Sequence, residues 1–400
     1  MRYIDRWMLL LLAVLLTACH SSDEDSSDQN CYLDIYVYAP DRPIVTRGDV
    51  GEVDPLSDGD GAEKIVHSLQ IWVFKSNGGG KVGYLGVDAT SAEYADPTFL
   101  NKTGQQKYRM KVAKEFADHP EAVDVYVVAN PSSCGSSFGE NTTRSALEAA
   151  KIGTSYFGTT DLYNEDDLDK DRDGRITTYG LPMSAVEKNQ PIYGSFPSLR
   201  IGSETEMTTL KLTRAVSKLR FVLCRKDDTS STKQLVGINS ITLNANQIPN
   251  ETWLITREPL NYTARTHSAI EYGSVAKEDI PMVENPLEYA YETQTAQNYE
   301  DIVNLAIKEL KLKQLGLTYL RESDLQLKGN INYTYRDGST DNTVDTEFSM
   351  AAPGDFLRNH SWIIYIFYMD TKIHVQVVTD IGMKTWTPDG GEENVIVYNW

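Results

Sequence analysis

The chain carries none of the compact signatures on which most catalysis rests. Its histidines (His20, His67, His119, His267, His360 and His374) are scattered, and no H-E-x-x-H pair, G-x-S-x-G elbow or phosphate loop occurs. Paired acids such as Glu392-Glu393 lie in turn-like sequence and read as solvated. The chain is therefore read as a non-enzyme. Cysteine is also scarce: Cys19, Cys31, Cys134 and Cys224 stand far apart, in no metal-ligand spacing. Apart from Cys19 they read as small buried hydrophobes, and nothing specifies a disulfide pair among them. Positive charge is the third shortage, with 38 Lys and Arg against 57 Asp and Glu, a formal charge of −19. Residues 1–47 hold seven acids and four bases, so about −16 remains without them. That balance excludes nucleic acid and anionic membranes as partners held by bulk electrostatics. The apolar run Trp7 to Leu16 is too short to span a bilayer as a helix.

That short run nevertheless has a use. Arg2 and Arg6 precede it, and Leu16-Thr17-Ala18-Cys19 closes it, which is the layout of a lipoprotein signal with a lipobox. Residues 1–18 are read as the signal peptide. Cys19 is the expected lipidation site, acylated (palmitate) and left as the new N-terminus at the outer membrane. His20 to Asn30 then carries Asp23, Glu24, Asp25 and Asp28 with no base, a composition that stays solvated as a tether.

In Cys31 to Ala39, Cys31, Leu33, Ile35, Val37 and Ala39 alternate with Tyr32, Asp34, Tyr36 and Tyr38, the period of a strand with one face buried. Pro40 and Pro43 end it. Arg47-Gly48 follows in a short extended, acid-flanked segment, where an Arg-specific protease can cut if the bond lies on an exposed loop. Such a cut removes lipid, tether and strand together.

The remainder is rich in tyrosine, 23 residues, with short alternating β-branched runs that favour sheets. Strands are expected at Ile65–Phe74, Val82–Leu85, Tyr108–Val112 and Val123–Ala129, the last two pairing with each other. Asn141–Ala150 reads as a short helix. Met207–Leu223 reads as two strands or as one bent near Arg214. Further strands are expected at Val236–Leu243, Leu327–Tyr335, Ser361–Met369 and Lys372–Val378. Tyr299–Leu320 has a fair helical spacing, weakened by Gly316. The segment Val395 to Trp400 reads as an apolar strand, either a closing edge of the last sheet or one that leaves the fold.

One motif has site chemistry. Asp169, Asp171 and Asp173 alternate ahead of Gly174, with Ile176 two further on, as in the first eight positions of a calcium loop. The twelfth position is Gly180 rather than glutamate. Weak calcium binding and a plain solvated loop both fit this segment.

Taken in order, the lipobox, Arg47 in IVTRGDVGEVDP, SLQIWVF, LPMSA at Leu181–Ala185, KLTRAVSKLRFVL at Lys211–Leu223, and FLRNHSWIIYIFY through VIVYNW resemble the fimbrillin family, the type V pilins of Bacteroidales. The acidic tether likewise resembles the surface-export signal of Bacteroidales lipoproteins, although a flexible spacer has the same composition. The resemblance implies an all-β fold of two transthyretin-like β-sandwich domains with short helical insertions, at residues 48–214 and 215–400. Residues 19–47 would form a lipidated propeptide. It implies a fimbrial (pilus) subunit supporting cell adhesion, exported to the cell surface as a lipoprotein precursor and cut after Arg47 by an Arg-specific surface protease. The subunits would then polymerise by strand exchange with other fimbrial subunits. Val395, Ile396, Val397, Tyr398 and Trp400 would belong to the donor strand, and burying three or four such side chains is worth roughly 5–10 kcal/mol per junction before entropy. A head-to-tail contact of this kind builds a filament. Two other readings stand beside it: a tip or anchor protein of the same fibre, and a monomeric surface lipoprotein that binds glycan or protein.

Overall fold

The computed structural model describes residues 30–39, 66–88, 104–131, 138–153, 162–163, 181–226, 232–244, 251–255, 269–284, 312–315, 317–321, 328–349, 358, 361–379 and 382–386. In chain order the strands of the first half are β1 (Cys31–Ala39), β2 (Ser68–Lys75), β3 (Lys81–Asp88), β4 (Gly104–Val112), β5 (Val123–Ala129), β6 (Lys151–Gly153), β7 (Leu162–Tyr163), β8 (Met183–Gln190), β9 (Ile192–Ser195), β10 (Ser198–Ile201), β11 (Thr209–Lys211) and β12 (Thr213–Arg214). Those of the second half are β13 (Val216–Arg225), β14 (Lys233–Leu243), β15 (Glu251–Trp253), β16 (Ile270–Tyr272), β17 (Val275–Ala276), β18 (Lys313–Gln314), β19 (Leu317–Arg321), β20 (Lys328–Asp337), β21 (Thr340–Ser349), β22 (Ser361–Met369), β23 (Lys372–Thr379) and β24 (Gly382–Trp386). Among the described residues two five-residue helices, α1 (Lys114–Asp118) and α2 (Arg144–Glu148), interrupt them. The Thr143 side chain caps α2 by accepting from the Ala146 N–H at 3.2 Å. The fold is all-β with short helical insertions.

Among the described residues two apolar cores organise it. In the first, β1, β4, β9, β10 and β11 form one sheet and β12-β8-β5-β2-β3 the other. Leu33, Ile35, Val37, Met110, Leu199 and Leu210 of the first sheet meet Leu69, Ile71, Val73, Val125 and Val127 of the second. In the second core, Leu219, Phe221, Ile364 and Ile366 face Ile238, Ile241, Ile331 and Phe348 from the sheet β16-β14-β20-β21. Period-two alternation on each strand puts one row of side chains between the layers, which is the physics of a sandwich.

The Met207–Leu223 stretch is broken rather than continuous. β11 ends at Lys211 and β12 at Arg214, with Leu212 and Ala215 as the breaks, and β13 then runs into the other layer pair. Leu210, Leu212, Ala215 and Val216 belong to the first core, whereas Leu219 onward belongs to the second. The halves are also stitched in the other direction. β15 pairs with β6, and Leu254 and Ile255 are buried in the first core. The Leu254 N–H donates to Ala150 O at 2.9 Å, and Ser184 Oγ donates to Leu254 O at 2.8 Å.

Two expectations are corrected. β4 does not pair with β5. All seven residues of β5 are buried and both its edges are taken, by β2 and β8, while β4 pairs with β1 in the opposite layer. The end of the expected helix Tyr299–Leu320 is extended instead: β18 and β19 pair with β13, Leu317 to Leu320 offering a leucine-rich, β-branched and aromatic run. The start of that segment, residues 299–311, lies outside the described residues.

Candidate functional site: the slot of the first strand

β1 lies in the middle of its sheet although it comes first in sequence. Along one edge it pairs antiparallel with β4 over its whole length, from Cys31 opposite Val112 to Ala39 opposite Gly104. Along the other edge two short strands share the work, both parallel to it. β10 meets Tyr32 to Asp34, and β11 meets Tyr36 to Tyr38. Tyr32 N–H donates to Pro197 O at 3.0 Å, and Leu212 N–H donates to Tyr38 O at 2.9 Å, extending the ladder past both short strands. Between β10 and β11 the chain leaves the sheet at Gly202, whose φ of +123° belongs to glycine. A Cβ there would stand 2.3 Å from Glu206 O.

The inward side of the slot is apolar. Cys31, Leu33, Ile35 and Val37 are all 2% exposed or less. They sit opposite Val112, Met110, Tyr108, Leu199 and Leu210, which are also buried. Burying side chains the size of Leu, Ile and Val contributes roughly 1.5–3 kcal/mol each.

The outward side is charged and aromatic. Asp34 lies directly between Arg109 of β4 and Arg200 of β10 in the register. Its carboxylate accepts from Arg109 Nε at 2.8 Å and Nη2 at 3.2 Å, a two-point clasp, and pairs with Lys107 Nζ at 2.8 Å. The Arg109 guanidinium also lies over the Tyr32 ring, 5.7 Å from its centroid. Burial pushes the Asp34 carboxyl up, but hydrogen bonds from Arg109 and Lys107 and their charges outweigh it, and the net direction is down. Around this carboxylate the face carries Lys111, Arg200 and Lys211 as well.

A second feature is a cleft of ≈ 390 Å³ lined by Tyr126, Ser145, Glu148, Ala149, Val186, Lys188 and Ile255. Tyr126 donates to Glu148 Oε1 at 2.6 Å, and Lys188 Nζ reaches the same oxygen at 2.8 Å. The hydrogen bonds from Lys188 and Tyr126 hold the Glu148 carboxyl below its usual range, while burial raises the Tyr126 phenol. The three side chains satisfy one another, so the cleft has a closed polar network on an apolar floor.

Cys19, Arg47 and Gly48 lie outside the described residues, as do Asp169, Asp171 and Asp173 and the segment Val395, Ile396, Val397, Tyr398 and Trp400. Among the described residues no group of His, Cys, Asp or Glu is arranged to hold a metal ion, and no helix is long and apolar enough to cross a membrane. Cys31 and Cys224 are free and buried. Sequence reasoning found β1 but not its partners. The signal it passed over was Asp34, a lone charge on a strand whose other outward residues are tyrosines.

No protein-family model matches the chain, and no curated protein matches it. Among solved structures it is similar to the tip fimbrial protein Mfa3 of Porphyromonas gingivalis, determined with a C-terminal truncation, at 15% identity and a TM-score of 0.44, over 88% of this chain and 99% of that one. It is similar to a cell adhesion protein of Parabacteroides distasonis at 13% identity and a TM-score of 0.48, over 87% and 97% of the two chains. A fimbrial assembly protein of the same organism aligns at 10% identity and a TM-score of 0.43, over 90% and 99%.

Proposed function

We propose that this chain is a structural subunit of a cell-surface fimbria, exported as a lipoprotein precursor through Cys19, cut after Arg47 and polymerised by strand exchange. One observation carries the reading. The strand between the lipobox and Arg47 is neither an edge nor an ornament: β1 fills the centre of a sheet, with a complete ladder on one side and a split ladder on the other. A strand so placed caps the fold while it is present. Its loss would expose a row of unpaired backbone groups and an apolar trough, which an extended segment of another subunit can fill by main-chain pairing. Val395 to Trp400 is the segment this chain offers to a neighbour. Calcium at Asp169, Asp171 and Asp173 is a separate proposal, tested by titration calorimetry with the triple Asp→Asn variant as the reference.

The decisive experiment is N-terminal sequencing of protein purified from the cell surface, with denaturant-resistant ladders on gels as the assembly readout. A mature N-terminus at Gly48, and ladders lost in both Arg47→Ala and a deletion of Val395–Trp400, are expected. Ladders unchanged in both variants would overturn the fibre reading.

A further inference from the structure

The slot imposes a charge requirement on its occupant in addition to an apolar one. The inward pattern of β1 survives a shift of two residues along the strand, because side chains alternate with period two. Leu33, Ile35 and Val37 would each move one place and still present apolar groups to the core. Asp34 is different. A two-residue shift puts Tyr32 or Tyr36 between Arg109 and Arg200, where the carboxylate had been. No other acid stands on the described strands of this face, which otherwise presents Lys107, Arg109, Lys111, Arg200 and Lys211. In a chain of net charge −19 that is a local reversal of sign.

We propose that Asp34 sets the register of β1 and selects what the slot accepts: an extended segment with small to medium apolar side chains inward and a carboxylate outward, opposite Arg109 and within reach of Lys107. The register half of this stands alone, and the selection half rests on the strand-exchange reading above. A segment lacking the carboxylate leaves Arg109 and Lys107 without the acid that binds them now. Electrostatic complementarity of this kind discriminates between partners more than it strengthens any one of them.

This chain's own terminal segment fails the requirement. With Val395 and Val397 inward, the residues outward among them are Ile396, Tyr398 and Trp400, and the nearest outward acid, Glu392, carries Glu393 into the apolar trough beside it. With the opposite face inward, Glu393 becomes outward, but Glu392 and Asn394 then enter the apolar trough beside it. The slot therefore favours a strand from a different subunit over the terminal strand of a second copy, which makes the fibre a heteropolymer at this junction.

Hydrogen exchange on the full chain tests the register half. In Asp34→Asn and in Arg109→Gln, the amides of Tyr32 to Tyr38 are expected to exchange roughly tenfold faster than in the wild type. The double variant is expected to be no worse than either single one, because the two residues act as a pair. Val123 to Ala129 serves as the internal control and should not change. Wild-type exchange in Asp34→Asn, or additive effects in the double variant, would overturn the assignment. For selection, the full chain is cut with an Arg-specific protease and the freed fragment removed. Labelled peptides are then added: Cys31–Ala39, the same peptide with Asp34→Asn, and Glu393–Trp400. The first should bind at least about tenfold more tightly than the other two. Equal binding of all three overturns the selection. Failure of the protease to cut after Arg47 counts against the fibre reading and removes the selection half with it, while the exchange arm still decides the register.

Discussion

Arg358 donates through Nη1 to the backbone carbonyl of Leu254, 2.9 Å away, and through Nη2 to that of Trp253. Leu254 is fully buried in the first core, although it follows β14 of the second. The arginine stands three residues before β22, so its guanidinium ties the strap Glu251–Ile255 to a residue more than a hundred positions later in the chain. Lys151 and Glu251 pair across the same junction, and the Lys151 ammonium lies 4.7 Å from the Trp253 ring centroid.

The strap is expected to carry a measurable share of stability. Arg358→Met removes two hydrogen bonds to buried or half-buried carbonyls and should cost about 2–3 kcal/mol in urea unfolding. Leu254→Ala leaves a cavity and should cost about 2–5 kcal/mol. Because both act on one contact, the double variant should lose less than the sum. Strict additivity would mean the two residues do not share a contact.

Acid is expected to weaken the clasp at Asp34. Arg109 and Lys107 hold its carboxyl below the ordinary value of 3.8 despite the opposing effect of burial. A group whose value is lower in the folded than in the unfolded chain contributes stability above the unfolded value, and loses it as pH falls through the folded one. The stability difference between wild type and Asp34→Asn, measured by denaturant titration, should hold at pH 6 and shrink as the pH drops below about 4. A difference unchanged at pH 2 contradicts the clasp.

Cys224 should be chemically silent. Burial pushes its thiol up to about 12, and its sulfur lies 2.8 Å from the Tyr365 hydroxyl. Native protein treated with iodoacetamide at pH 8, then read by mass spectrometry, should show no label there. Cys31 is 1% exposed and its thiol is likewise raised by burial, so it should resist label while β1 is seated and react once the strand is released. Rapid labelling of Cys31 in the full chain would mean β1 is not held in its slot.

Gly202→Ala should strain the far wall of the slot. The positive φ and the nearness of Glu206 O together predict a loss of about 1–3 kcal/mol, read as a lower Tm. An unchanged Tm would show that the turn can relax.

Strands whose patterning is local were legible in the sequence. β22 and β5 occupy the residues that alternation and β-branched content point to, and β2 begins only three residues late. Pairing was another matter. β1 finds β4 and β10–β11 through contacts 70 to 170 residues away in sequence (roughly), and periodicity reports which face is buried without naming the neighbour. The same limit hid the strap, since Glu251–Ile255 is too short to show a period at all. At Leu317–Arg321, leucines spaced as on a helix face proved to line a strand beside β13, where tertiary pairing overrode local preference. Of the candidate site, the apolar half of β1 was readable as alternation, whereas the role of Asp34 depends on Arg109 and Lys107 arriving beside it.

The position of β1 also sets an order of events. Its partners lie at residues 104–112 and 198–211, so the first described strand waits for about half of the chain before its neighbours all exist. Half its ladder can form once β4 has emerged, but the parallel side must wait until β11 is made. Closing so long a separation is slow compared with forming hairpins such as β2–β3. A sheet built this way stays open until about half of the chain has been made, so its apolar trough is the last part of the first core to be sealed.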